Sequence, residues 1–390
     1  MKNSNDSLIL GIDHGYGNIK TANKTFGTGV YVSDTEPAFK ENLLTWYGKY
    51  YTIGEGHKEF VADKIQDMDY YVLTLAAVAY ELRARGLREA KVHLAAGLPL
   101  TWLTAQKEAF RSYLLQNKEV EFSFNGIDYK VEFTGADIFP QGFAAIADRI
   151  HEFSGTNMLC DIGNGTMNVM LINEKKPENR RCFTEKFGTQ QCVIQAKEDM
   201  MRTHHATVDE SVITRVLRFG KADIADEFLE TITKSAKNYV AEIFRNLREH
   251  GYDPRMMRLT VVGGGGCLIK NFSDCDKSRI TVIDDIRATA KGYERLATKK
   301  KWQQMNIKKI SVRFNLDKEA DSKAWHYLRS VKGQSYTETV INALLNHDLA
   351  DLIEEKFVGM KLQAPPEEKQ ISEIEQEEND DIVFNFLDSF

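Results

Sequence analysis

Two aspartates, Asp13 and Asp161, have the sequence context most able to support chemistry. Each ends an apolar run and is followed by a turn rich in glycine and asparagine. A carboxylate at the end of a strand can hold a hydrated Mg²⁺ ion, because that ion keeps several waters and shares its remaining coordination sites with phosphates. The repeated pattern predicts two strand–turn–strand units that each present one carboxylate.

The turns that follow the two aspartates have the composition of phosphate-binding loops. Glycine lets several backbone N–H groups converge on one concavity, which can cradle phosphate oxygens. Asn164-Gly165 also stands where a two-residue type I′ hairpin turn is expected. Two such turns facing each other would clamp one triphosphate, with Lys20 neutralising charge. The candidate phosphate-binding residues are Gly15, Tyr16, Gly17, Asn18 and Lys20 in the first unit, and Gly163, Asn164, Gly165 and Thr166 in the second.

A third glycine-rich stretch follows the apolar run 259–262. Its residues are Gly263, Gly264, Gly265 and Gly266. They have no side chain to obstruct a flat ligand, so they are predicted to lie beside an adenosine ring. Each motif alone is weak, because any hairpin can contain Asn-Gly and any strand can end in glycine. The interpretation therefore depends on the order and spacing of all three.

Together the three motifs resemble the phosphate-1, phosphate-2 and adenosine motifs of the actin, Hsp70 and sugar-kinase superfamily. In detail they resemble the ParM-type actins that segregate plasmids, as do Gly97-Leu98-Pro99-Leu100 and Gly54-Glu55. The resemblance covers about residues 7–298. It implies an α/β actin/Hsp70/sugar-kinase fold, in which two α/β domains, residues 1–155 and 156–298, surround a nucleotide cleft.

The resemblance also implies a cofactor and residue roles. ATP would be the nucleotide, with GTP left open, and Asp13 and Asp161 would place Mg²⁺ through water. Gln141 stands where the family has the residue that orients the attacking water. The ParM branch more usually has Glu there, and an amide can position water but is a weaker base. Lys197 matches a nucleotide-contacting position on a predicted helix at 192–202. The alternatives are a helix-terminal Gln without chemistry and a Lys on a solvated face.

Residues 299–360 are not expected in an ordinary ParM-type protein. Apolar and polar side chains alternate over 307–316, and two predicted helices follow at 317–331 and 336–346. This order resembles the ribbon-helix-helix fold, in particular the DNA-binding half of ParR, the centromere adaptor that normally accompanies ParM. A ribbon formed by strands of two chains would enter the major groove. The candidate DNA-binding residues are Lys309, Ser311, Arg313 and Asn315. The alternative is a strand and helical hairpin packed on the core.

Residues 361–390 are predicted to be a flexible acidic tail with a terminal apolar peptide. The segment after Pro365-Pro366 is polar, and apolar side chains set among acids return from Asp380 to Phe390. An acidic, apolar peptide on a flexible tether is suited to fold onto a partner groove. In ParR a similar tail recognises the end of the ParM filament, so the resemblance implies that this peptide docks intermolecularly on a filament end. A tail without a ligand is the alternative.

Composition bounds these interpretations. The chain is 42% hydrophobic and 28% charged, a composition typical of globular proteins. Its length of 390 residues predicts two or more domains. No apolar run approaches the length of a bilayer span, and the N-terminal residues lack a signal-peptide core. We therefore expect a cytoplasmic protein without a membrane partner. The five cysteines show no Cys-x-x-Cys pair and are predicted to be reduced and structural.

The sequence thus predicts a bacterial, plasmid-encoded, actin-like ATPase that polymerises with ATP into homopolymeric filaments. It would segregate plasmid DNA through its own fused centromere-binding domain. A second hypothesis keeps the fold and the cleft but forms no filaments: a nucleotide-responsive DNA-binding regulator or a small-molecule kinase. A kinase would need a catalytic base facing a substrate pocket, and no motif nominates one.

Overall fold

The structure is a computed structural model that describes residues 7–54, 65, 67–304, 314–330, 380 and 382–387. The strands are β1 Leu8–His14, β2 Asn18–Thr21, β3 Thr25–Gly27, β4 Val30–Ser33, β5 Leu43–Trp46, β6 Lys49–Ile53, β7 Glu89–Leu98, β8 Glu119–Phe124, β9 Ile127–Pro140, β10 Thr156–Ile162, β11 Met167–Asn173, β12 Lys176–Glu185, β13 Arg258–Val262 and β14 Ile280–Val282. The α-helices are α1 Asp69–Ala84, α2 Leu103–Leu114, α3 Thr189–His204, α4 Glu210–Phe219, α5 Asp226–Glu249, α6 Gly266–Phe272, α7 Ala288–Gln304 and α8 Glu319–Ser330.

The first sheet has the strand order β3-β2-β1-β7-β9-β8-β5-β6-β4. Strands β1, β7 and β9 are parallel neighbours, so their carboxyl ends meet at one edge of the sheet. That edge carries Asp13 near the end of β1 and Gln141 directly after β9. The topology therefore brings together Asp13 and Gln141, which lie far apart in the sequence. Helix α1 packs in the core beside this sheet, so nearly every side chain from Tyr70 to Leu82 is buried.

The second sheet has the order β12-β11-β10-β13-β14. Strands β10 and β11 form an antiparallel hairpin, whereas β10, β13 and β14 are parallel. The carboxyl edge of this sheet consequently holds Asp161 at the end of β10 and the glycines that follow β13. Helices α3 and α5 pack together over the buried side chains of this sheet, among them Cys160, Val169 and Leu259.

Two segments join the sheets: residues 141–155, which we call the crossing segment, and α7. Both segments contribute to an apolar cluster, which includes Phe143 of the crossing segment together with Leu159 and Val262 of the second sheet. The two segments meet at Gly292 of α7, where a Cβ atom would overlap the carbonyl oxygen of Ala144. Only glycine permits this approach of two backbones. The junction is therefore closely packed and built from both halves of the chain.

The chain divides into two compact units, one of Met1–Lys301 with Glu377–Phe390 and the other of Trp302–Gln376. In the second unit, α8 lies within the helix predicted at 317–331. Asn315 is not in a strand: its backbone N–H donates to Asp321 Oδ2 at 2.8 Å, which ties it to the start of α8. The other candidate DNA-binding residues, Lys309, Ser311 and Arg313, and the second predicted helix, 336–346, lie outside the described residues.

Two predictions about hairpins are wrong. A type I′ turn needs positive φ at both central residues, and neither Asn164 nor Gly165 has it. The strands end at Ile162 and begin again at Met167, and between them the N–H of Gly163 donates to the carbonyl of Thr166 at 2.8 Å. Apolar and polar residues also alternate on either side of Asn125-Gly126, a pattern that predicts a hairpin at the edge of the first sheet. The hairpin is present, with φ of 51° and 73° at these two residues, but its strands β8 and β9 lie inside the sheet. The edges are β3 and β4.

Other elements differ from the sequence pattern. The helix predicted after Gln141 consists of two short 3₁₀ helices, Phe143–Ala145 and Ala147–Glu152. Strand β12 and helices α4 and α6 were not predicted, and Gly266 begins α6 instead of extending a strand end. None of the helices in the described ranges is both long enough and apolar enough to cross a bilayer.

Candidate functional site

A cavity of about 560 Å³ opens where the carboxyl edges of the two sheets meet. Its lining contains the three predicted catalytic or metal-binding residues, Asp13, Gln141 and Asp161. It also contains all predicted nucleotide-contacting residues except Lys197 and Gly265; those that line it are Gly15, Tyr16, Gly17, Asn18, Lys20, Gly163, Asn164, Gly165, Thr166, Gly263, Gly264 and Gly266. Residues from three separate motifs therefore converge on one cavity.

The two predicted phosphate-binding turns face each other. A Cβ atom on Gly17 would fall 2.6 Å from Asn164 Cγ, so the first turn touches the second only because residue 17 has no side chain. The second turn is fixed by the start of α3, where Thr189 Oγ1 donates to Asn164 Oδ1 at 3.1 Å and Gln190 N–H donates to the Asn164 carbonyl at 3.0 Å. The two turns therefore face each other across the same part of the cavity.

Asp13 and Asp161 lie at the floor of the cavity and are 5% and 9% exposed. Asp13 and Lys20 are register partners on β1 and β2, so their side chains lie on the same face of the sheet. Lys20 Nζ donates to Asp13 Oδ2 at 3.0 Å, and Gln141 Nε2 donates to Asp13 Oδ1 at 3.3 Å. The sheet topology thus brings Lys20 and Gln141 to the same carboxylate.

The charges at this floor are unbalanced. Burial, and then the charge of Asp13, raise the pKa of Asp161 to about 6, although Lys20 acts in the opposite direction. Burial alone would lower the pKa of Lys20, but Asp13 and Asp161 outweigh it and raise that pKa. Lys20 therefore stays protonated at neutral pH, and two buried carboxylates share one cation.

This donor set fits a hydrated divalent ion. Two carboxylates with a single lysine leave a net negative charge in a buried polar site, and a cation would relieve it. Across the part of the chain that the structure describes, no group of three or more His, Cys, Asp or Glu side chains could hold a metal. An ion here would take its other ligands from water and from a bound phosphate, as Mg²⁺ usually does.

The two remaining predicted contacts lie outside the cavity lining. Lys197 Nζ pairs with Glu210 Oε2 at 2.7 Å, and it is Glu210 that lines the cavity. The backbone N–H of Gly265 donates to the carbonyl of Ile162 at 2.8 Å. Gly265 therefore supports the turn after β13, while Lys197 orients a residue of the lining.

Helices α4 and α6 supply a wall that the sequence interpretation missed. The two helices are joined by Asn271 Nδ2, which donates to the carbonyls of Leu217 and Arg218 at 3.1 and 3.0 Å. The lining at this end includes apolar side chains that suit a flat base: Val193, Leu217, Phe219, Val282, Ile283 and Ile286. The amphipathic pattern of residues 210–219 could have revealed α4, but not its position beside the cavity.

Comparison with known proteins agrees with this architecture. Residues 11–143 match the family described as actin-like proteins, N-terminal domain. No curated protein matches the sequence. The archaeal actin homologue Ta0583, in complex with ADP, superposes with a TM-score of 0.61 at 19% identity, over 75% of this chain and 99% of that chain.

Two further solved structures are similar. The actin-like protein Alp7A has a TM-score of 0.62 at 16% identity, over 76% of this chain and 97% of its own. The pCBH ParM non-polymerisable quadruple mutant has a TM-score of 0.60 at 20% identity, over 75% of this chain and 100% of its own. The predicted α/β actin-like fold is thereby confirmed, while the ribbon-helix-helix segment stays a prediction. The chain has the fold of actin-like proteins, and its residues 11–143 are similar to their N-terminal domain.

Proposed function

We propose that the chain is an actin-like ATPase whose two domains, residues 1–155 and 156–298, bind ATP and Mg²⁺ in the cavity between them. The observation that carries the proposal is the pair of facing turns above the buried Asp13 and Asp161, within an actin-like fold. Related structures support the nucleotide, since Ta0583 was solved with ADP and a Bacillus thuringiensis ParM with AMPPNP. The lining does not discriminate ATP from GTP, so ATP is proposed from the family resemblance.

Each residue of the floor would have a distinct task. Asp13 and Asp161 would hold the hydrated ion, which draws negative charge from the phosphates. Lys20 stays cationic and would neutralise the same charge, and the two facing turns would donate backbone N–H groups to phosphate oxygens. Gln141 donates through Nε2 to Asp13, and an amide held in this way can still accept a hydrogen bond from water through Oε1. Gln141 would therefore orient the attacking water.

We further propose that ATP closes the cavity and favours homopolymeric filaments, and that hydrolysis loosens them. Alp12, a protein of the same fold at 17% identity and a TM-score of 0.54, was solved as a filament. The filament would move plasmid DNA in the bacterial cytoplasm. Residues 299–360 would bind centromere-like DNA as a ribbon-helix-helix dimer. Within this range the structure describes the end of α7, residues 314–318 and α8, and of these only α8 coincides with a predicted element of that fold.

Intermolecular docking of the terminal peptide on a filament end also remains a proposal. It requires an acceptor groove that is not already filled. In the single chain the terminal residues lie against their own unit, and Phe386 is 6% exposed. Docking between chains would therefore begin with release of the peptide from its own groove.

Phosphate release from ATP tests the proposed activity. The wild-type protein should hydrolyse ATP when Mg²⁺ is present, and Asp161→Asn should lose most of that activity because one of two metal-holding carboxylates is gone. Asp253→Asn is the matched control, because Asp253 pairs with Arg255 in an exposed turn. Equal rates for wild type and Asp161→Asn would contradict the assignment of the cavity.

A further inference from the structure

The last described residues fold back onto the first compact unit. Residues 382–387 form a helical turn in which Val383, Phe386 and Leu387 are 2%, 6% and 9% exposed, whereas Asn385 is exposed. Burial at positions i, i+3 and i+4 is the pattern of a helix with one apolar face. The terminal peptide therefore uses its apolar face for packing within its own chain.

The groove that receives this turn is built from both segments that join the sheets. The ring of Phe386 lies 4.7 Å, centroid to centroid, from Phe143 of the crossing segment. Val383 lines a small cavity together with Ala147 of the same segment and Leu296 of α7. The turn consequently touches both connections between the sheets.

An ion pair fixes the direction of the peptide. Asp380 Oδ1 accepts a hydrogen bond from Lys299 Nζ of α7 at 2.5 Å, and the two side chains are 28% and 30% exposed. A partly exposed pair contributes little binding energy by itself. Affinity should therefore come from the three buried apolar side chains, while the pair sets which end of the peptide meets α7.

The contact between the terminal peptide and α7 closes a long loop of the chain. Lys299 and Asp380 are separated by 81 positions, and the second compact unit, Trp302–Gln376, is inserted between them. The cost of closing a long loop grows only slowly with its length. A peptide tethered in this way has a high effective concentration at its own groove, so it should exclude an identical peptide offered from solution.

The same two segments also reach the candidate nucleotide site. Phe143 stands two residues after Gln141. On the other segment, Glu294 Oε2 accepts from the Gly11 N–H of β1 at 3.5 Å, two residues before Asp13. The side chain of Tyr293 stacks on Phe139, at the end of β9, with 16° between the ring planes. A change at the groove can therefore alter the positions of Gln141 and Asp13.

We propose that residues 380–387 are an internal strap: the chain's own C-terminal helical turn docks on the groove between the crossing segment and α7, holds the junction of the two sheets, and sets the nucleotide affinity of the cavity. The docking itself is independent of the proposed function. The effect on nucleotide affinity rests on that proposed function.

Docking is tested with a fluorescein-labelled synthetic peptide of residues 377–390 and the full-length protein. Phe386→Asp places a charge on the buried face and should empty the groove. The labelled peptide should then bind this variant at least about ten-fold more tightly than wild type, whose groove is filled by the tethered copy. Asn385→Asp adds the same charge on the exposed face and should behave as wild type.

A charge exchange between the groove and the peptide tests docking without relying on the folding of Phe386→Asp. Lys299→Glu should favour the labelled peptide carrying Asp380→Lys over the unaltered one, which reverses the preference of the wild-type protein. Hydrogen exchange on the wild-type protein should show slowed amides at 383–387 that do not depend on protein concentration. Equal peptide binding by wild type and Phe386→Asp, or protection that appears only as concentration rises, would overturn the internal strap.

Coupling is measured as the affinity for fluorescent ADP with Mg²⁺. Phe386→Asp should change that affinity about five-fold or more relative to Asn385→Asp, as expected for two coupled sites. Identical affinities, with peptide docking demonstrated, would overturn the coupling and leave the docking. If none of the proteins bound nucleotide, the proposed function would fail, and the peptide assay would still decide the strap.

Discussion

Replacing Asp161 by Asn should stabilise the metal-free protein while it removes a functional carboxylate. Burial and the charge of Asp13 raise the pKa of Asp161 from its ordinary 3.8 to about 6. At about 1.4 kcal/mol per pH unit, keeping this group ionised at pH 7 costs about 3 kcal/mol. That cost is already net of the attraction to Lys20, and an amide of the same shape avoids most of it. We therefore expect a net gain of about 1–3 kcal/mol in the free energy of unfolding.

The gain should depend on pH with a definite sign. Between pH 4 and about 6 the folded state holds the Asp161 proton more tightly than the unfolded state does. The contribution of this group to wild-type stability therefore falls as pH rises through that window and is level above it. Asn resembles the neutral acid. The difference between variant and wild type should be small near pH 4.5 and fully present at pH 7.

Urea unfolding in EDTA at pH 4.5, 5.5 and 7 measures this difference. Asp253→Asn is the control, because hydrogen bonds from Arg255 depress the pKa of Asp253 to about 2 and its replacement should bring no gain. A loss of stability in Asp161→Asn at pH 7, or a difference that does not change with pH, would refute the electrostatic account of the cavity floor.

Three further predictions concern separate parts of the chain. Gln141→Ala should slow phosphate release roughly ten-fold or more while ATP-dependent polymerisation survives, because the residue would orient water rather than bind nucleotide. Gly17→Ala should weaken nucleotide binding, measured by fluorescent ADP, because its Cβ would meet Asn164. Gly264→Ala, where a Cβ meets nothing within 4 Å, should keep its fold. Arg313→Ala should weaken specific DNA binding by about 1–3 kcal/mol while ATP turnover continues.

Each has an outcome that would contradict it. Loss of polymerisation by folded Gln141→Ala protein would remove its assigned role. Unchanged ADP affinity in Gly17→Ala would show that the two turns do not act together. Equal loss of DNA binding and ATP turnover in Arg313→Ala would argue against separable modules.

Local sequence signals predicted much of the secondary structure because they depend on near neighbours. The alternation around Asn125-Gly126 predicts a hairpin, and apolar residues at helical spacing over 70–87 and 222–250 predict helices where the structure has α1 and α5. The aspartate-turn units were predictable because Asp13 and Asp161 are each contiguous with their own turn. To predict that both aspartates line one cavity, it was enough to assume that the two strand–turn–strand motifs face each other.

The remaining features depend on contacts between distant segments. The composition Asn164-Gly165 suggested a type I′ turn, but neither residue has positive φ, and Asn164 is held by Thr189 and Gln190 at the start of α3. Helix α4 lies beside the cavity only because of how the chain around it folds. Nothing in the sequence of α4 itself indicates that position. The sequence predicts that the terminal peptide docks on another chain. In the structure Val383 and Phe386 instead contact residues more than two hundred positions earlier and α7 of their own chain.

Light scattering of the purified protein with Mg-ATP and with Mg-ADP, followed by electron microscopy, tests the central claim most directly. The samples should be compared with and without DNA from just upstream of the gene. We predict filaments with ATP, and their decoration or bundling by that DNA. Dispersed particles with both nucleotides, from protein that demonstrably binds ATP, would contradict the proposal of a filament-forming ATPase.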